Sequence, residues 1–377
     1  MVPNPRKPGG RPKRVPDALR QTPFRLPFTQ PPTGDEERGT VIPQTPATVD
    51  RYEVGDLERD GFAASAAAVT ADPYRDFETF LRQARAAIQL PAGLAESLTT
   101  FGERRAAGAL LVRNLPLPAH LPPTPGASFI SGPRTPLGTE PVIAACILAI
   151  GEPFTFAQWD GGILVHNKYP IRAHRDIQFG SNAVEFLLHT ETPFRQPSPD
   201  FLGLLCLRAD PTGVAKTAVS AIDRVIASLP PAVQEVLRTP SFAFETDNPA
   251  VHLNGRGLTV PHPILTTRDG RDVVEYVGDL VATTPAAGQA LDLLRDQVSA
   301  AAVHVPLEAG DLLLLDNSRV VHGRNSFTPR YDGTDRWLQR MLITTTLFER
   351  GEVPSSRLVE DRKYANYPTD YQRVLTT

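Results

Sequence analysis

Five polar side chains in this sequence have the types and spacing to do chemistry together. In "EFLLHTETPF" an imidazole, His189, stands two residues before a carboxylate, Glu191. Residues i and i+2 of an extended strand point to the same side, so the two groups can converge on one point. A third donor has to come from a distant strand, and "LLLLDNSRVVHGRNSF" offers His322 just after a strongly apolar run. Two imidazoles and one carboxylate are the facial donor set of non-haem Fe(II) oxygenases, which leaves coordination positions open for a cosubstrate and O2. The same three residues also fit a satisfied core histidine beside a surface carboxylate, and the eight histidines of the chain supply chance partners. Fourteen residues after His322 comes Arg336, in "RYDGTDRWLQR", and Arg340 follows four residues later. On an extended strand these two share a face. A guanidinium there can grip the distal carboxylate of a dicarboxylic cosubstrate with two parallel hydrogen bonds. The alternative is surface ion pairing with Asp332 or Asp335.

Such groups need strands to carry them. Short apolar runs separated by turns occur at 163–165, 184–188, 202–207 and 312–315, with a buried strand at 109–112 and a last apolar run at 337–347. Helical spacing is found elsewhere. Asp72-Pro73 reads as an N-cap and first-turn proline before Phe77, Phe80, Leu81, Ala84 and Ile88. Residues 142–150 read as a buried helix. The stretch 217–229 carries Ile222, Val225, Ile226 and Leu229 and is closed by Pro230-Pro231. Thr284-Pro285 opens a helix with Ala287, Ala290, Leu291, Leu294 and Val298 on one face. The polar stretch 240–282 reads as strands joined by a long excursion, a candidate lid. Strands in both halves with helices before and between them predict a mainly β fold with added helices, a β-sandwich or jelly roll and not a doubly wound sheet. No Gly-rich phosphate loop follows any strand.

Composition narrows the function classes. The chain has 377 residues, 41 % hydrophobic and 21 % charged, with a formal net charge of −3. That balance argues against nucleic acid as the main partner. The nine-residue apolar run at 142–150 is far too short for a membrane span. No apolar block follows Met1, which reads as a cytoplasmic chain without a secretory leader. Two cysteines, Cys146 and Cys206, exclude a disulfide scaffold and a thiolate-built metal site. Residues 1–50 hold 11 prolines, and the first 25 carry seven Lys or Arg against one acid. They are expected to form a disordered or surface-draped extension, with a basic docking arm as the functional alternative. The polar stretch 348–377 is expected to be a tail, leaving 51–347 as the working domain.

The set His189-Thr190-Glu191, His322, Arg336 and Arg340 resembles the clavaminate synthase-like (TauD/TfdA-type) Fe(II)/2-oxoglutarate oxygenases, and within them the amino-acid β-hydroxylases of peptide-antibiotic pathways. The resemblance covers 140–347 and extends toward residue 73. It implies a double-stranded β-helix fold and a requirement for Fe(II), 2-oxoglutarate and O2. It implies His189, Glu191 and His322 as iron ligands, with Arg336 on the distal carboxylate of 2-oxoglutarate and Thr217 hydrogen-bonded to the same cosubstrate. It also implies Arg340 on the substrate α-carboxylate and Gln158 near the α-amine. Thr217 equally fits an N-cap and Gln158 an ordinary buried amide. The halogenating relatives carry a small residue in place of the carboxylate ligand, so Glu191 favours hydroxylation, with desaturation or ring closure as variants. Arginine-oxidising members carry two acids near the lid. Here Val277 stands at the first of those positions and Asp279 at the second, with Glu275 close by. A single acid suits a neutral, small or cyclic side chain better than a guanidinium. The expected substrate is a free L-amino acid or cyclic imino acid, oxidised at C3. A carrier-protein-tethered aminoacyl group and a non-catalytic jelly-roll binding protein are the competing readings.

Overall fold

A computed structural model of the chain describes residues 48–126, 134–157, 162–175, 183–193, 198–244, 261–268, 270–345 and 357–359. Gln158 and nearly all of the two expected extensions lie outside these residues. Two sheets carry the fold. The larger contains β1 (Val49–Glu53), β2 (Ala109–Arg113), β3 (Glu152–Phe156), β4 (His166–Lys168), β6 (Phe201–Arg208), β13 (Leu312–Asp316), β15 (Trp337–Thr344) and β16 (Leu358–Val359). Its strand order is β1-β2-β13-β6-β15-β3-β16, with β4 also paired to β15. The smaller has the order β12 (Val303–Val305), β7 (Thr217–Ser220), β14 (Val321–Arg324), β5 (Phe186–His189). Two hairpin-like pairs, β8 (Phe242–Phe244) with β11 (Leu280–Ala282) and β9 (Leu265–Arg268) with β10 (Arg271–Val274), account for the described part of 240–282. Residues 245–260 of the expected lid lie outside the described residues.

Strand alternation sorts the apolar side chains into separate cores. Along β13, Leu312 and Leu314 join one cluster, and Leu313 and Leu315 join another. A strand buried on both faces reads as a continuous apolar run and not as an alternating one, which is why 312–315 is all leucine. The outer face of the larger sheet packs on α1 (Asp56–Ala66), α2 (Phe77–Ala87), α3 (Ala92–Gly102) and α4 (Glu140–Leu148) through Phe62, Phe80, Phe101 and Ile147. α4 is buried over most of its length, as an all-apolar helix must be. It comes so close that a Cβ at Gly203 of β6 would sit 2.7 Å from Ile147 Cδ1. The inner face shares a core with Val219 and Val305 of the smaller sheet. The far side of that smaller sheet is covered by α5 (Ile222–Ser228), α6 (Pro231–Leu237) and α7 (Pro285–Ala300) through Val321, Leu291 and Leu294. The two sheets thus face each other across one core, with helices on both outer surfaces. The described residues fall within one compact unit, Pro46–Thr377. Among them no helix is long and apolar enough to cross a membrane.

Several local expectations hold and two need correction. Thr284 caps α7, its hydroxyl accepting the Ala287 N–H at 3.2 Å, and the five expected apolar residues are buried. The helix expected at Asp72-Pro73 starts later, at Phe77, with Asp76 as its cap. The Asp72 carboxylate instead accepts the Tyr74 N–H at 2.8 Å and closes a turn. Residues 217–229 are not one helix. Thr217–Ser220 form β7 between β12 and β14, and only from Ile222 does the chain become helical. Small and β-branched residues in "TAVS" serve a strand once two ladders are available, and tertiary pairing overrides helical spacing. Pro230-Pro231 closes α5 as expected and also opens α6, with Pro231 in its first turn.

Candidate active site

Two facing walls build the site. On the smaller sheet β5 and β14 run antiparallel, and His189 pairs directly with His322. Directly opposed residues project from the same face, and the two rings lie 4.3 Å apart, centroid to centroid. His322 lies inside β14, where the sequence suggested a position after a strand. The register slips between His322 and Arg324. There β5 presses so close that a Cβ at residue 323 would sit 2.5 Å from Phe186 O, which is the physical demand behind Gly323. Glu191 lies beyond the end of β5, and the chain then turns through Thr192 at φ 52°. The i, i+2 convergence survives without a regular strand. The donor atoms of His189, Glu191 and His322 all lie within 4.8 Å of one another.

Burial and charge set the protonation of this cluster. The three residues are 7 %, 6 % and 6 % exposed. The His189 pKa is pushed down to about 3, chiefly by burial and next by the neighbouring His322. Its Nδ1 lies 2.8 Å from Leu187 O. A neutral ring donates that hydrogen bond from Nδ1 and keeps the Nε2 lone pair for another partner. Burial alone would raise the Glu191 carboxyl, but the Arg340 guanidinium and His322 outweigh it and hold it well below the usual carboxylate range. Arg340 Nη1 donates to Glu191 Oε1 at 2.7 Å, and His322 Nε2 is 3.5 Å from Glu191 Oε2. A neutral His189 and an ionised Glu191 are in the protonation states that binding a divalent metal requires.

The opposite wall is β15. Arg336 immediately precedes it, and Arg336, Leu338 and Arg340 line the same cavity as Glu191, His322 and Thr217. Arg336 is buried and its guanidinium is pushed down by burial. Its Nη2 donates to Thr217 Oγ1 at 3.2 Å, so Thr217 is a strand residue facing the site and not a helix cap. Among the described residues Arg336 forms no ion pair. The two aspartates that competed for it are engaged elsewhere. Asp335 accepts the N–H groups of Arg330 and Tyr331, and Asp332 accepts that of Thr334. Asp279 is not brought to the triad. It is exposed on the turn after Val277, which itself bridges to His189.

Two cavity-lining cations escaped the sequence reading: Lys168 on β4 and Arg324 on β14. Arg324 follows His322 by two residues and stands in register with Thr217. Its pKa is pushed down to about 9 by burial and then by Arg336, and its guanidinium lies 4.6 Å from the Phe327 ring centre. The i, i+2 rule that linked His189 to Glu191 would also have picked out Arg324 in "HGR".

Known proteins resemble this chain in sequence and in fold. The family model described as taurine catabolism dioxygenase TauD, TfdA family, matches residues 105–342. The L-asparagine oxygenase of Streptomyces coelicolor is 36 % identical over 264 residues, covering 68 % of this chain and 77 % of that protein. A crystal structure of asparagine oxygenase in complex with Fe(II), 2S,3S-3-hydroxyasparagine and succinate superposes with a TM-score of 0.72 at 29 % identity, over 82 % of this chain and 99 % of the other. The non-heme iron oxygenase OrfP, solved with Fe and alpha-ketoglutaric acid, gives a TM-score of 0.68 at 27 % identity, again over 82 % and 99 %. The matched residues run from just before β2 to within β15 and so contain the whole described site. By sequence match and by structural likeness, the chain belongs to the TauD/TfdA dioxygenase family.

Proposed function

We propose that this protein is an Fe(II)- and 2-oxoglutarate-dependent dioxygenase that hydroxylates C3 of a free L-amino acid. The observation that carries the reading is the convergence of His189, Glu191 and His322 opposite Arg336 and Thr217. The residues fit the metal. Three buried donors sit together, with His189 neutral and Glu191 ionised, and among the described residues the buried His322 Nδ1 has no hydrogen-bond partner, a cost that a native site bears for a reason. In this reading His189, Glu191 and His322 hold Fe(II). When bound, the iron with 2-oxoglutarate and O2 supplies the oxidant that inserts oxygen into a C–H bond, while the cosubstrate loses CO2 and leaves as succinate.

The chain's own contribution is binding, orientation and exclusion of water. Arg336 and Thr217 grip the distal carboxylate of 2-oxoglutarate. Arg340 takes the substrate α-carboxylate and Gln158 the α-amine; Asp279, exposed on its turn, lies outside the described cavity and is left without a role in holding the side chain. Holding an amino acid by both α-substituents leaves C3 as the carbon presented to the metal. Leu204 and Leu338 keep the cavity wall apolar and exclude water from the reacting centre. We read the two facing sheets as the double-stranded β-helix of this family, with 51–347 as the catalytic unit and 1–50 and 348–377 as extensions. Two free, buried thiols and a ferrous centre suit a reducing compartment, the cytoplasm.

The test is anaerobic reconstitution with Fe(II) and 2-oxoglutarate, followed by exposure to air with a panel of L-amino acids including cyclic imino acids. Succinate formation and product mass are read together. Succinate coupled to gain of one oxygen on one amino acid supports the reading and identifies the substrate. Loss of two hydrogens would move the reaction to desaturation or ring closure. Turnover only on a carrier-loaded aminoacyl group would replace the free substrate with a tethered one. No succinate under any condition would sink the reading.

A further inference from the structure

Glu191 presents a structural problem that its neighbours do not. His189 and His322 are held by the β5–β14 ladder, but that pairing has ended before Glu191. Buried backbone groups need partners, and the residue itself is 6 % exposed. The partner is a side chain. The Asn317 Oδ1 accepts the Glu191 N–H at 2.6 Å, and its Nδ2 donates to Glu191 O at 3.1 Å and to Pro199 O at 3.0 Å. One carboxamide therefore grips both backbone polar groups of Glu191, as a neighbouring strand would.

Asn317 is itself fixed. It is 4 % exposed, and its own N–H donates to Asp200 O at 2.9 Å. The turn it opens is closed by the Arg319 and Val320 N–H groups on Asp316 O at 3.1 and 3.0 Å. The buried Asp316 carboxylate accepts from Ser318 Oγ at 2.7 Å and Arg104 Nε at 2.9 Å. Five residues further along the same segment stands His322. A single short stretch, Asn317 to His322, thus bears one imidazole directly and sets the height of the carboxylate through a clamp.

We propose that Asn317 is a positioning residue that places Glu191 at the height where its carboxylate meets the two imidazoles. This rests on the reading of His189, Glu191 and His322 as a metal site. The amide is specified by its pattern of one acceptance and two donations. An aspartate keeps the acceptor for the Glu191 N–H but turns a carboxylate oxygen toward two carbonyl oxygens. Alanine removes all three contacts.

The experiment measures Co(II), a redox-inert stand-in for Fe(II), on the full chain. Titration by its visible d–d absorption gives affinity and coordination geometry. Thermal unfolding of the metal-free protein reports folding independently. N317D and N317A are expected to bind Co(II) at least about tenfold more weakly, the usual range for losing a partner that orients a ligand being about 10–100-fold. Their d–d spectra should be altered, and their metal-free melting temperatures should stay within a few degrees of the parent. Co(II) affinity within twofold of the parent in both variants overturns the proposal, as does a loss of affinity that disappears once the titration is run well below each variant's melting temperature. E191A is the control for the underlying reading. Co(II) binding that E191A leaves unchanged overturns the metal site itself and the proposal with it. Triad-dependent binding that N317D and N317A leave intact overturns the proposal alone.

Discussion

The two walls of the site are built on different plans. The metal wall uses strands of three or four residues, β5, β7, β12 and β14. The anion wall is the single eight-residue strand β15, paired along its length with β6. A chelating site needs atoms from three separate segments at one point. Short strands let those segments approach, but their ladders end early and single residues must finish the work: Gly323 by leaving room, Asn317 by replacing a strand. Recognition of two carboxylates needs only spacing. Arg336, just before β15, and Arg340, within it, are four residues apart, about 13 Å along an extended chain, enough in the proposed reading for two anions on either side of one metal. The metal wall is therefore precise and fragile, and the anion wall robust and divisible.

Removing a donor should break the first wall outright. H189A or H322A is expected to reduce succinate formation to the uncatalysed background and to abolish Co(II) absorption. A variant that retained either would contradict the assigned ligands. The second wall should come apart in pieces. R336A is expected to raise the KM for 2-oxoglutarate about 100-fold, the effect of losing ~3 kcal/mol of buried charged hydrogen bonding, with the amino-acid KM little changed. R340A should raise the amino-acid KM instead and, because Arg340 also bonds Glu191, weaken Co(II) binding, which R336A should leave unchanged. Equal effects of both variants on both KM values would erase the division of labour along β15. A smaller effect is expected for G323A, in which the added Cβ pushes against the β5 backbone at a cost of about 1–3 kcal/mol. The metal-free melting temperature should fall and Co(II) affinity weaken together, because the same strand carries His189.

The smallest effect probes the back of the anion wall. Gln339 points away from the cavity and donates to the buried Glu140 carboxylate at 3.0 Å, which also accepts from the Tyr74 hydroxyl at 3.0 Å. Burial raises the Glu140 pKa above its ordinary 4.5. The folded state then holds this proton more tightly than the unfolded chain. Its contribution to stability is full below about 4.5 and is lost as pH rises through the raised value. Denaturant titrations of the metal-free protein across that window should show the parent losing stability relative to E140Q. Parallel curves would mean that the group behind β15 is not ionising there.

Sequence reading reached these walls unevenly. The triad and the paired arginines were legible as candidates because chemistry restricts residue types and strand geometry restricts spacing, and the family resemblance is what set them above a core histidine and surface ion pairs. The helix at Thr284 was legible because cap, proline and apolar stripe agree. Thr217 was harder: "TAVS" joins a helical stripe without a break, and only β12 and β14, distant in sequence, decide its state. Asp72-Pro73 failed because Asp76 offers an equally good cap four residues on. Asn317 gave no signal at all, since an asparagine after a strand reads as an ordinary turn residue until the backbone it holds is seen.

The two cysteines carry a practical consequence. Cys146 and Cys206 are fully buried, and burial pushes both thiols up to about 12. Maleimides and disulfide reagents are attacked by the thiolate, so neither buried native sulfur competes for a label. A lone cysteine introduced at Leu57, which is 89 % exposed, would take up a fluorophore or spin probe on an otherwise unmodified background. The wild-type chain is in this sense already the cysteine-silent parent that most labelling studies first have to make.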